Sequence, residues 1–356
     1  MGVPCRDSVT ILDVARLARC SITTVSRVLN NSSHKVKEET RKRVLDAIQQ
    51  LDYRPNALAK SLLSKRTMTI GAVVPDISNP YYAEVVRGIQ DTADLEGYTV
   101  LIQNTDRLSD RLLRGIHILR EKNVDGFIFT GGLHGMEGIG EFLCELKERT
   151  VVIGRLEENL PSVRIDNERA SILAVEHLVQ KGYRQIAYVS GALHSTTMVD
   201  RLSGFRKALK QFSLPEIPAY IQEGTQSLQS GYEAMKRLLS LPKRPEAILF
   251  ANDQMLFGAM KALSEEGLKV PKDFAVIGFD NVPLCSYFNP TITSIEIPKY
   301  ELGQAATRIL FSLIRGESPQ TPLWFPVRLI ERESTGKASF QTSDREKGRR
   351  HHGKVL

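Results

Sequence analysis

The side chains with the clearest chemical meaning lie in the segment SITTVSR, where hydroxylated, apolar and basic residues share one side of a short predicted helix. Val25 and Val28 fall on the other side, where a helix would bury them. Arginine can donate two hydrogen bonds to a guanine, and isoleucine can pack against a thymine methyl group. The segment therefore predicts sequence-specific contact with double-stranded DNA. The residues expected to reach base edges are Ile22, Thr23, Ser26 and Arg27.

A second predicted helix precedes this one and would hold it against the duplex. Thr10 can cap that helix together with Asp13, and Ser21 can cap the recognition helix. We expect Val14 and Leu17 to face inward. Two short helices joined by a tight turn are typical of a helix-turn-helix, although a small helical bundle with an incidental arginine is the alternative. Phosphate contacts are expected from Thr10, Ser21 and Ser26.

The distribution of charge supports a DNA-binding end. Residues 1–67 carry 13 lysines and arginines against 6 acidic residues, and residues 337–356 carry 6 against 2. Because the whole chain has a net charge of +7, the middle is left with −4. The basic surplus is confined to the two ends, as expected if one end meets phosphate and the middle does not.

From Met68 onward, short β-branched runs alternate with helix-length segments. The predicted strands are TIGAVV, YTVLIQ, DGFIFT and TVVIG, and the pattern restarts with QIAYVS, AYIQEG, AILFAN and FAVIGF. Continuous apolar strands separated by helices predict parallel sheets that are buried on both faces. The number of strands favours two consecutive doubly wound α/β sheets, each with its own core, over a single sheet.

Composition excludes several classes of protein. The four cysteines form no CxxC pair, which argues against a zinc site or a disulfide framework and favours a reducing, cytoplasmic compartment. The chain has neither an apolar run of membrane-spanning length nor an export signal. No histidine spacing indicates a metal site, and we expect no cofactor.

Two segments give the chain a specific resemblance. DVARLARCSITTVSRVLN and YRPNALAKSL resemble the lactose and galactose repressor family, as do PDISNPYYAEVVRGI, VIGFDN and LIERESTG further along. The resemblance implies a homodimer on operator DNA, with a hinge helix that wedges Leu62 into the minor groove. Asn56 and Ala59 belong to the same predicted DNA contact. A leucine between basic residues suits this role, although a simple linker helix is the alternative.

The resemblance also implies an order of domains. A helix-turn-helix headpiece would span 1–54, and a hinge helix with its linker would span 55–67. A periplasmic-binding-protein-like core of two subdomains would span 68–336, followed by a basic tail at 337–356, predicted to be disordered. The N-terminal subdomain would comprise about 68–164 plus 296–325, and the C-terminal subdomain about 165–295 plus 326–336.

The headpiece departs from the family pattern at three points. Arg19 stands at a turn position usually held by glycine, and Lys37 stands where a serine usually caps the third helix. The loop NNSSHKV is one residue longer than usual. We therefore expect a headpiece that is marginally stable away from DNA.

A small-molecule effector is expected beyond the carboxyl ends of the strands, where open parallel sheets bind ligands. By resemblance, Arg201, Asn252 and Asp280 would hydrogen-bond the ligand and Tyr82 would supply an apolar face. Taken singly, Asn252 also fits a helix cap and Asp280 a turn. The predicted effector-binding residues are Asp76, Ser78, Tyr81, Tyr82, Ser195, Thr197, Arg201, Asn252, Asp253 and Asp280.

The identity of the effector stays open. Gln226 stands where several family members stack an aromatic ring, and Ser195 stands where the purine-binding members have an arginine. Ile297 replaces a hydrogen-bonding glutamine of the lactose type, whereas RPEAILF is shared with the purine-binding branch. These residues favour a sugar or sugar phosphate over a nucleobase. A phosphoprotein corepressor and a role as activator also stay open.

Two other classes of protein share this architecture. An enzyme is disfavoured because the glycines of GGLHGMEGIG contain neither G-x-G-x-x-G nor a Walker lysine, and Ser32 with Lys35 lacks the companion motifs of S-x-x-K hydrolases. An exported solute-binding protein would have a signal peptide where this chain has its predicted headpiece. The sequence therefore favours a ligand-responsive transcription regulator, most simply a repressor of carbohydrate-related genes.

Overall fold

The computed structural model describes residues 9–29, 36–53, 66–131, 143, 145–155 and 160–336. It divides into two compact units, residues 1–68 and 69–356. The predicted contacts of Asn56, Ala59 and Leu62 lie outside the described residues, as do most of the predicted hinge and the tail at 337–356. Within the described part of the chain, no helix is both long and apolar enough to cross a membrane.

The first unit contains three helices among its described residues: α1 (Ile11–Leu17), α2 (Ile22–Leu29) and α3 (Glu38–Gln50). Their shared core is small and is built from valines and alanines. The buried side chains are Val14, Ala15, Ala18, Val25, Val28, Val44 and Ala47. This confirms the predicted inward face of α2, whereas Leu17 is 44% exposed, contrary to the prediction. The reason is that α1 turns Val14 and Ala18, rather than Leu17, towards its neighbours.

The turn between α1 and α2 is formed without glycine. Arg19 adopts a left-handed backbone conformation with φ of 49°, and the Cys20 amide donates to the Ala15 carbonyl at 3.0 Å. The Asp13 carboxylate accepts hydrogen bonds from the backbone and hydroxyl of Thr10, at 2.9 and 2.7 Å. Ser21 caps α2 through the Thr24 amide. These predicted caps are confirmed, and Lys37 gives α3 no side-chain cap.

The second unit contains two six-stranded sheets. The strands, in chain order, are β1 (Thr69–Val74), β2 (Thr99–Asn104), β3 (Gly126–Thr130), β4 (Thr150–Ile153), β5 (Ser162–Ile165), β6 (Ile186–Ser190), β7 (Ile221–Glu223), β8 (Ala247–Phe250), β9 (Ala275–Asp280), β10 (Thr293–Glu296), β11 (Leu323–Phe325) and β12 (Arg328–Ile330). The first sheet has the order β11-β5-β4-β3-β1-β2, and the second has the order β12-β10-β9-β8-β6-β7. Two consecutive sheets are thus confirmed.

Every recorded pairing in the sheets is parallel except one, in which β12 runs antiparallel to β10. This edge strand departs from the predicted all-parallel arrangement. Strands β5, β10, β11 and β12 were not predicted; three of them, SVRI, TSIE and RLI, mix polar with apolar residues and lack the continuous apolar run that indicated most of the others. Apolar runs such as TIGAVV are almost fully buried, as parallel strands covered on both faces require.

Helices cover the sheets. Those whose bounds the described residues give are α4 (Pro80–Leu95), α5 (Ser109–Glu121), α6 (Asn167–Gln180), α7 (Thr196–Gln211), α8 (Leu228–Leu239), α9 (Asp253–Glu265) and α10 (Lys299–Ile314). Short 3₁₀ turns lie at Lys147–Arg149, Pro218–Tyr220, Pro283–Ser286 and Glu333–Thr335. The α4 and α10 axes approach closely at Gly88 and Gly303, because a Cβ at either position would collide with the backbone of the other helix. Along α4, Tyr82, Val85, Val86, Ile89 and Ala93 are buried.

The chain passes between the two sheets three times. It leaves the first sheet after β5, returns after β10 into α10, which packs on β3 and β4, and crosses again between β11 and β12. The two sheets therefore form two subdomains joined by three short segments. This places 326–336 with the second sheet and the helix after residue 296 with the first.

Candidate functional site

The exposed side of α2 carries the residues that the sequence proposes for base contact. Ile22 is 43% exposed, and Thr23 and Arg27 are also exposed, whereas Ser26 is half-buried. Val25 and Val28 anchor the opposite side in the core. The structure thus brings Ile22, Thr23 and Arg27 to one accessible surface of a basic helical unit. Such a surface can enter a major groove.

The hydroxyls of Thr10 and Ser21 are exposed but already engaged in capping. Thr10 Oγ1 donates to the Asp13 carboxylate, and Ser21 Oγ lies 2.9 Å from Thr24 Oγ1. The hydrogen bond from the Thr10 hydroxyl, followed by the one from the Thr10 backbone, lowers the pKa of Asp13. If either hydroxyl contacted a phosphate, the same oxygen would also take part in a hydrogen bond within the headpiece. The backbone at the N-terminus of α2 offers further donors.

A cleft in the second unit lies between the carboxyl ends of the two sheets. It encloses about 940 Å³, counting space open to solvent. Seven of the predicted effector residues line it: Tyr81, Tyr82, Ser195, Thr197, Arg201, Asn252 and Asp280. Among its other polar lining residues, the sequence pointed only to Gln226, and it did not predict Asn79, Thr105, Arg107, Asn167 and His194.

Arg201 is buried, and its guanidinium is held on all sides. Nε donates to Asn167 Oδ1 at 2.9 Å, Nη1 donates to the Ala251 carbonyl, and Nη2 lies 3.7 Å from Asp280 Oδ1. The guanidinium carbon lies 3.5 Å from the centre of the Phe279 ring. Arg201 is thus a fixed cation at the base of the cleft, and its role would be to orient Asp280.

Asp280 is 5% exposed and ends β9 with φ of 106°. Burial raises its pKa to about 7, although the charge of Arg201 acts in the opposite direction. Its carbonyl and that of Asn281 accept hydrogen bonds from Lys299 Nζ, at 2.8 and 3.2 Å. Because α10 begins at Lys299, this lysine links the first subdomain to the wall formed by the second.

Asp253 does not line the cleft, contrary to the prediction. It begins α9 fully buried, and its carboxylate accepts from the Val282 amide and the Ser294 hydroxyl, both at 2.8 Å. Gly278 gives it room, because a Cβ there would collide with Asp253 Oδ1. Burial raises the pKa of Asp253 to about 6. Its role is structural: it holds the chain that follows β9.

Asp76 and Ser78 also lie outside the lining. Asp76 Oδ1 accepts hydrogen bonds from the Ser78 amide and hydroxyl, at 3.1 and 2.6 Å, in a closed turn after β1. Partial burial acts to raise the pKa of Asp76. The hydrogen bonds from Ser78 and the charge of Arg107 outweigh this effect, so the pKa is lowered. Asp76 therefore acts on the cleft only through its neighbour Arg107.

Tyr81 and Tyr82 form an edge-to-face pair, with ring centroids 4.9 Å apart. Asn79 caps α4 by accepting from the Tyr81 amide at 2.9 Å, and Pro80 follows it at the first helical position. Burial raises the pKa of both phenols. The pair can offer a ligand an apolar wall with neutral hydroxyls.

Asn252 does what its simpler interpretation predicts, although it also lines the cleft. Its Oδ1 accepts from the Met255 amide at 2.9 Å and caps α9, while its Nδ2 donates to the Gln226 carbonyl at 3.2 Å. Ser195 and Thr197 stand at the N-terminus of α7, where Ser195 makes no capping hydrogen bond through its side chain. Ile297 is buried in the core and does not line the cleft.

Side chains from the two subdomains meet across the cleft. Arg107, after β2, donates from Nε to Gln226 Oε1 at 3.0 Å. Arg155, after β4, pairs with Asp200 of α7 at 2.7 Å, and its carbonyl accepts from the Thr196 hydroxyl. A change in the angle between the subdomains would break or remake these contacts. A ligand in the cleft therefore occupies a position from which it can control that angle.

The chemistry available here is hydrogen bonding. Among the described residues, no group of three or more histidine, cysteine or carboxylate side chains could hold a metal ion. The cleft offers amides, hydroxyls, two tyrosines, two arginines and one carboxylate with a pKa near neutrality. Such a set suits a ligand that is rich in hydroxyl groups.

Both units match models of known protein families. A model of the lacI family of bacterial regulatory proteins matches residues 10–56, and a model of the periplasmic binding protein-like domain matches residues 175–335. Catabolite control protein A of Priestia megaterium is 39% identical over 332 residues, which cover 92% of this chain and 99% of that protein.

Solved structures of transcription regulators are also similar to this chain. The lac repressor dimer bound to operator and the anti-inducer ONPF superposes with a TM-score of 0.84 at 31% identity, covering 93% of this chain and 100% of that one. The complex of the transcriptional regulator CelR with cellobiose superposes with a TM-score of 0.69 at 30% identity, covering 92% and 99%.

Proposed function

Because the chain belongs to the lacI family of bacterial regulatory proteins and is a DNA-binding transcription regulator rather than an enzyme, we propose that it represses carbohydrate-related genes under the control of a small sugar or sugar phosphate. The observation that carries this proposal is the cleft between two parallel sheets, with the buried Arg201–Asp280 pair at its base. Pockets built in this way bind polar small molecules at the carboxyl ends of strands.

The DNA-binding half of the proposal rests on α2. Arg27 is exposed and would donate two hydrogen bonds to a guanine, and Ile22 would contact a thymine methyl group. Thr23 and Ser26 would complete the contact with base edges, while Thr10 and Ser21 would position the helix on phosphate. Asn56, Ala59 and Leu62 are proposed to add minor-groove contacts.

We propose a homodimer in the cytoplasm that binds a near-palindromic operator. The lac repressor structure is that of a dimer on its operator, and two helix-turn-helix units on one duplex face need half-sites about one turn, roughly 34 Å, apart. A symmetric dimer matches such a site because the two-fold axes of protein and DNA coincide. Docking of a phosphoprotein corepressor on the N-terminal subdomain stays a prediction.

A sugar effector is supported by the lining of the cleft and by a relative. The CelR structure is a complex with cellobiose. In this chain, Asp280 would accept hydroxyl hydrogen bonds, and the Tyr81–Tyr82 pair would contact the apolar face of a sugar ring. Closing or opening the cleft would change the contacts of Arg155 and Gln226 across it. A coupling of about 1 to 3 kcal/mol between cleft and operator would suffice for a switch.

The DNA-binding half is tested by fluorescence anisotropy with palindromic duplexes selected from a random library. A dimer that contacts 6 to 10 phosphates should lose roughly 10³ to 10⁵ in affinity between about 50 and 200 mM salt. A scrambled duplex of equal length is the control. Absence of binding to any duplex at low salt would reject the regulator and leave a solute-binding protein.

A further inference from the structure

One polar group in the cleft is left without a partner. Arg107 follows β2, its side chain is 19% exposed, and its Nη2 is buried with no hydrogen-bond partner. Nε is held by the neutral amide of Gln226 at 3.0 Å. The residue lines the same cleft as Arg201 and Asp280. A buried guanidinium nitrogen without an acceptor is unfavourable unless a ligand supplies one.

The nearest carboxylate does not satisfy this arginine. Asp76 Oδ2 lies 3.4 Å from Arg107 Nη1, which is long for a charge-assisted hydrogen bond. The other oxygen of Asp76 is taken by the amide and hydroxyl of Ser78. Of the two adjacent guanidinium nitrogens, Nη1 makes this one long hydrogen bond and Nη2 makes none.

The two arginines of the cleft differ in this respect. Arg201 donates hydrogen bonds from Nε and Nη1, and its Nη2 lies 3.7 Å from Asp280 Oδ1. Arg107 donates from Nε to the neutral amide of Gln226 and from Nη1 to Asp76 Oδ2 at 3.4 Å, and its Nη2 is buried without a partner. The Arg107 end of the cleft therefore offers a buried donor that no group of the described protein satisfies.

We propose that the effector is an acidic sugar derivative whose carboxylate or phosphate binds Nη1 and Nη2 of Arg107, while its hydroxyls reach Asp280. This inference rests on the proposed function, because it assumes that the cleft binds the effector. A planar guanidinium accepts both anions in a two-pronged arrangement, so the geometry favours an anion without separating the two sources. A single sugar hydroxyl could accept from Nη2 alone, whereas an anion can accept from Nη1 and Nη2 together in charge-assisted hydrogen bonds.

The first test uses inorganic phosphate as the probe on the full-length protein. Thermal unfolding is followed as phosphate replaces chloride at constant ionic strength, for the wild-type protein, Arg107→Gln and Arg206→Gln. Arg206 is an exposed arginine paired with Glu216, so its variant removes the same charge away from the cleft. We expect phosphate to raise the melting temperature of the wild type and of Arg206→Gln but not of Arg107→Gln. Equal stabilisation in all three, or none in the wild type, overturns the inference.

The second test separates the two anions by calorimetry. Galactose, galacturonate and galactose 6-phosphate are compared with glucose, glucuronate and glucose 6-phosphate. At least one acid should bind about tenfold or more tightly than its neutral parent, and Arg107→Gln should remove that preference. Tighter binding of a uronate would identify the anion as a carboxylate, and tighter binding of a 6-phosphate would identify it as a phosphate. Neutral sugars that bind as tightly as their acids overturn the inference.

A structural role for Arg107 predicts a different result. A latch made with Gln226 and Asp76 would cost stability when removed, so Arg107→Gln would unfold at a lower temperature in phosphate-free buffer. The inference concerns the response to phosphate: Arg107→Gln should lose the stabilisation by phosphate, whether or not the lost bonds to Gln226 and Asp76 lower its melting temperature. Operator binding by the wild type is measured in parallel. Intact operator binding with no anion effect overturns only this inference, whereas absent operator binding overturns the proposed function.

Discussion

The headpiece and the cleft of the core place their recognition residues in opposite ways. On α2, Ile22 and Arg27 are exposed, and the core beneath this helix consists of a few valines and alanines. In the cleft, Arg201 and Asp280 are buried and are held by neighbours from several elements. Changing a residue of the first kind should alter binding alone, whereas changing one of the second kind should alter folding as well.

The largest effect is expected at Arg201. Arg201→Ala leaves Asp280 buried without its compensating charge and removes the hydrogen bonds to Asn167 and Ala251, so we expect it to lower the free energy of unfolding of the core by about 3 to 5 kcal/mol. Urea unfolding measures this loss. Arg206→Ala breaks an exposed ion pair and should cost less than about 1 kcal/mol. Similar costs for the two variants would show that the buried Arg201–Asp280 pair contributes no more stability than an exposed ion pair.

The next effect concerns pH. The pKa of Asp280 is raised to about 7 by burial, with Arg201, Lys299, Asp253 and Glu84 acting on it. An acid whose pKa is raised on folding contributes stability that is complete below its unfolded pKa and is lost as pH rises through about 7. Core stability should thus fall between about pH 4 and pH 7, by up to about 1.4 kcal/mol per pH unit from this group.

Asp280→Asn is the matched variant for this titration. Asparagine does not ionise in this range, so the variant should lose that slope and keep the one that Asp253 contributes, because the pKa of Asp253 is raised to about 6 in the same direction. Denaturant unfolding at several pH values gives both curves. Parallel curves for the wild type and the variant would mean that Asp280 is ionised throughout.

A smaller effect, and one on binding alone, is expected at Arg27. Arg27→Ala should cost about 1 to 3 kcal/mol of discrimination between a selected operator and a scrambled duplex. The melting temperature of the headpiece should not change, because Arg27 is exposed. Competition anisotropy with the two duplexes measures the ratio. An equal loss on both duplexes would assign Arg27 to phosphate contact.

The smallest effect tests the stability of the headpiece. Lys37 precedes α3 and makes no capping hydrogen bond through its side chain, so Lys37→Ser should stabilise the headpiece by about 1 kcal/mol. Lys42→Ser, within the same helix, has no cap to supply and serves as the control. Thermal unfolding of the first unit within the full chain reports the change. A gain equal in both variants would point to charge rather than capping.

The same contrast explains what the sequence could predict. The caps of α1 and α2, the buried valines and most parallel strands depend on residues close together in the chain, and local patterns indicated them. Strands β5, β10 and β12 mix polar with apolar residues, and the positions of these strands and of β11 are set by the sheets they join. Leu17 was wrongly assigned to the core because α1 is only seven residues long and its rotation depends on its neighbours.

In the cleft, position after a strand indicated Asn252 and Asp280, and the family resemblance indicated Arg201, but neither indicated the roles of these residues. Asp253 has the same sequence context, yet it turns inward, because Gly278 leaves space for its carboxylate and Ser294 supplies a donor. Arg107 was missed because its partner Gln226 is 119 residues away in the chain and belongs to the other subdomain. A polar loop such as NTDRLSD gives no local sign of such a contact.

The most direct test of the account joins the two regions in one measurement. The affinity of the wild-type protein for its selected operator is measured with and without each sugar or sugar phosphate that raises the melting temperature of the core. We predict that a ligand bound in the cleft changes operator affinity by about 5-fold to 150-fold, and that operator changes the affinity for that ligand by the same factor. A ligand that binds the core and leaves operator affinity unchanged would contradict the coupling between cleft and headpiece.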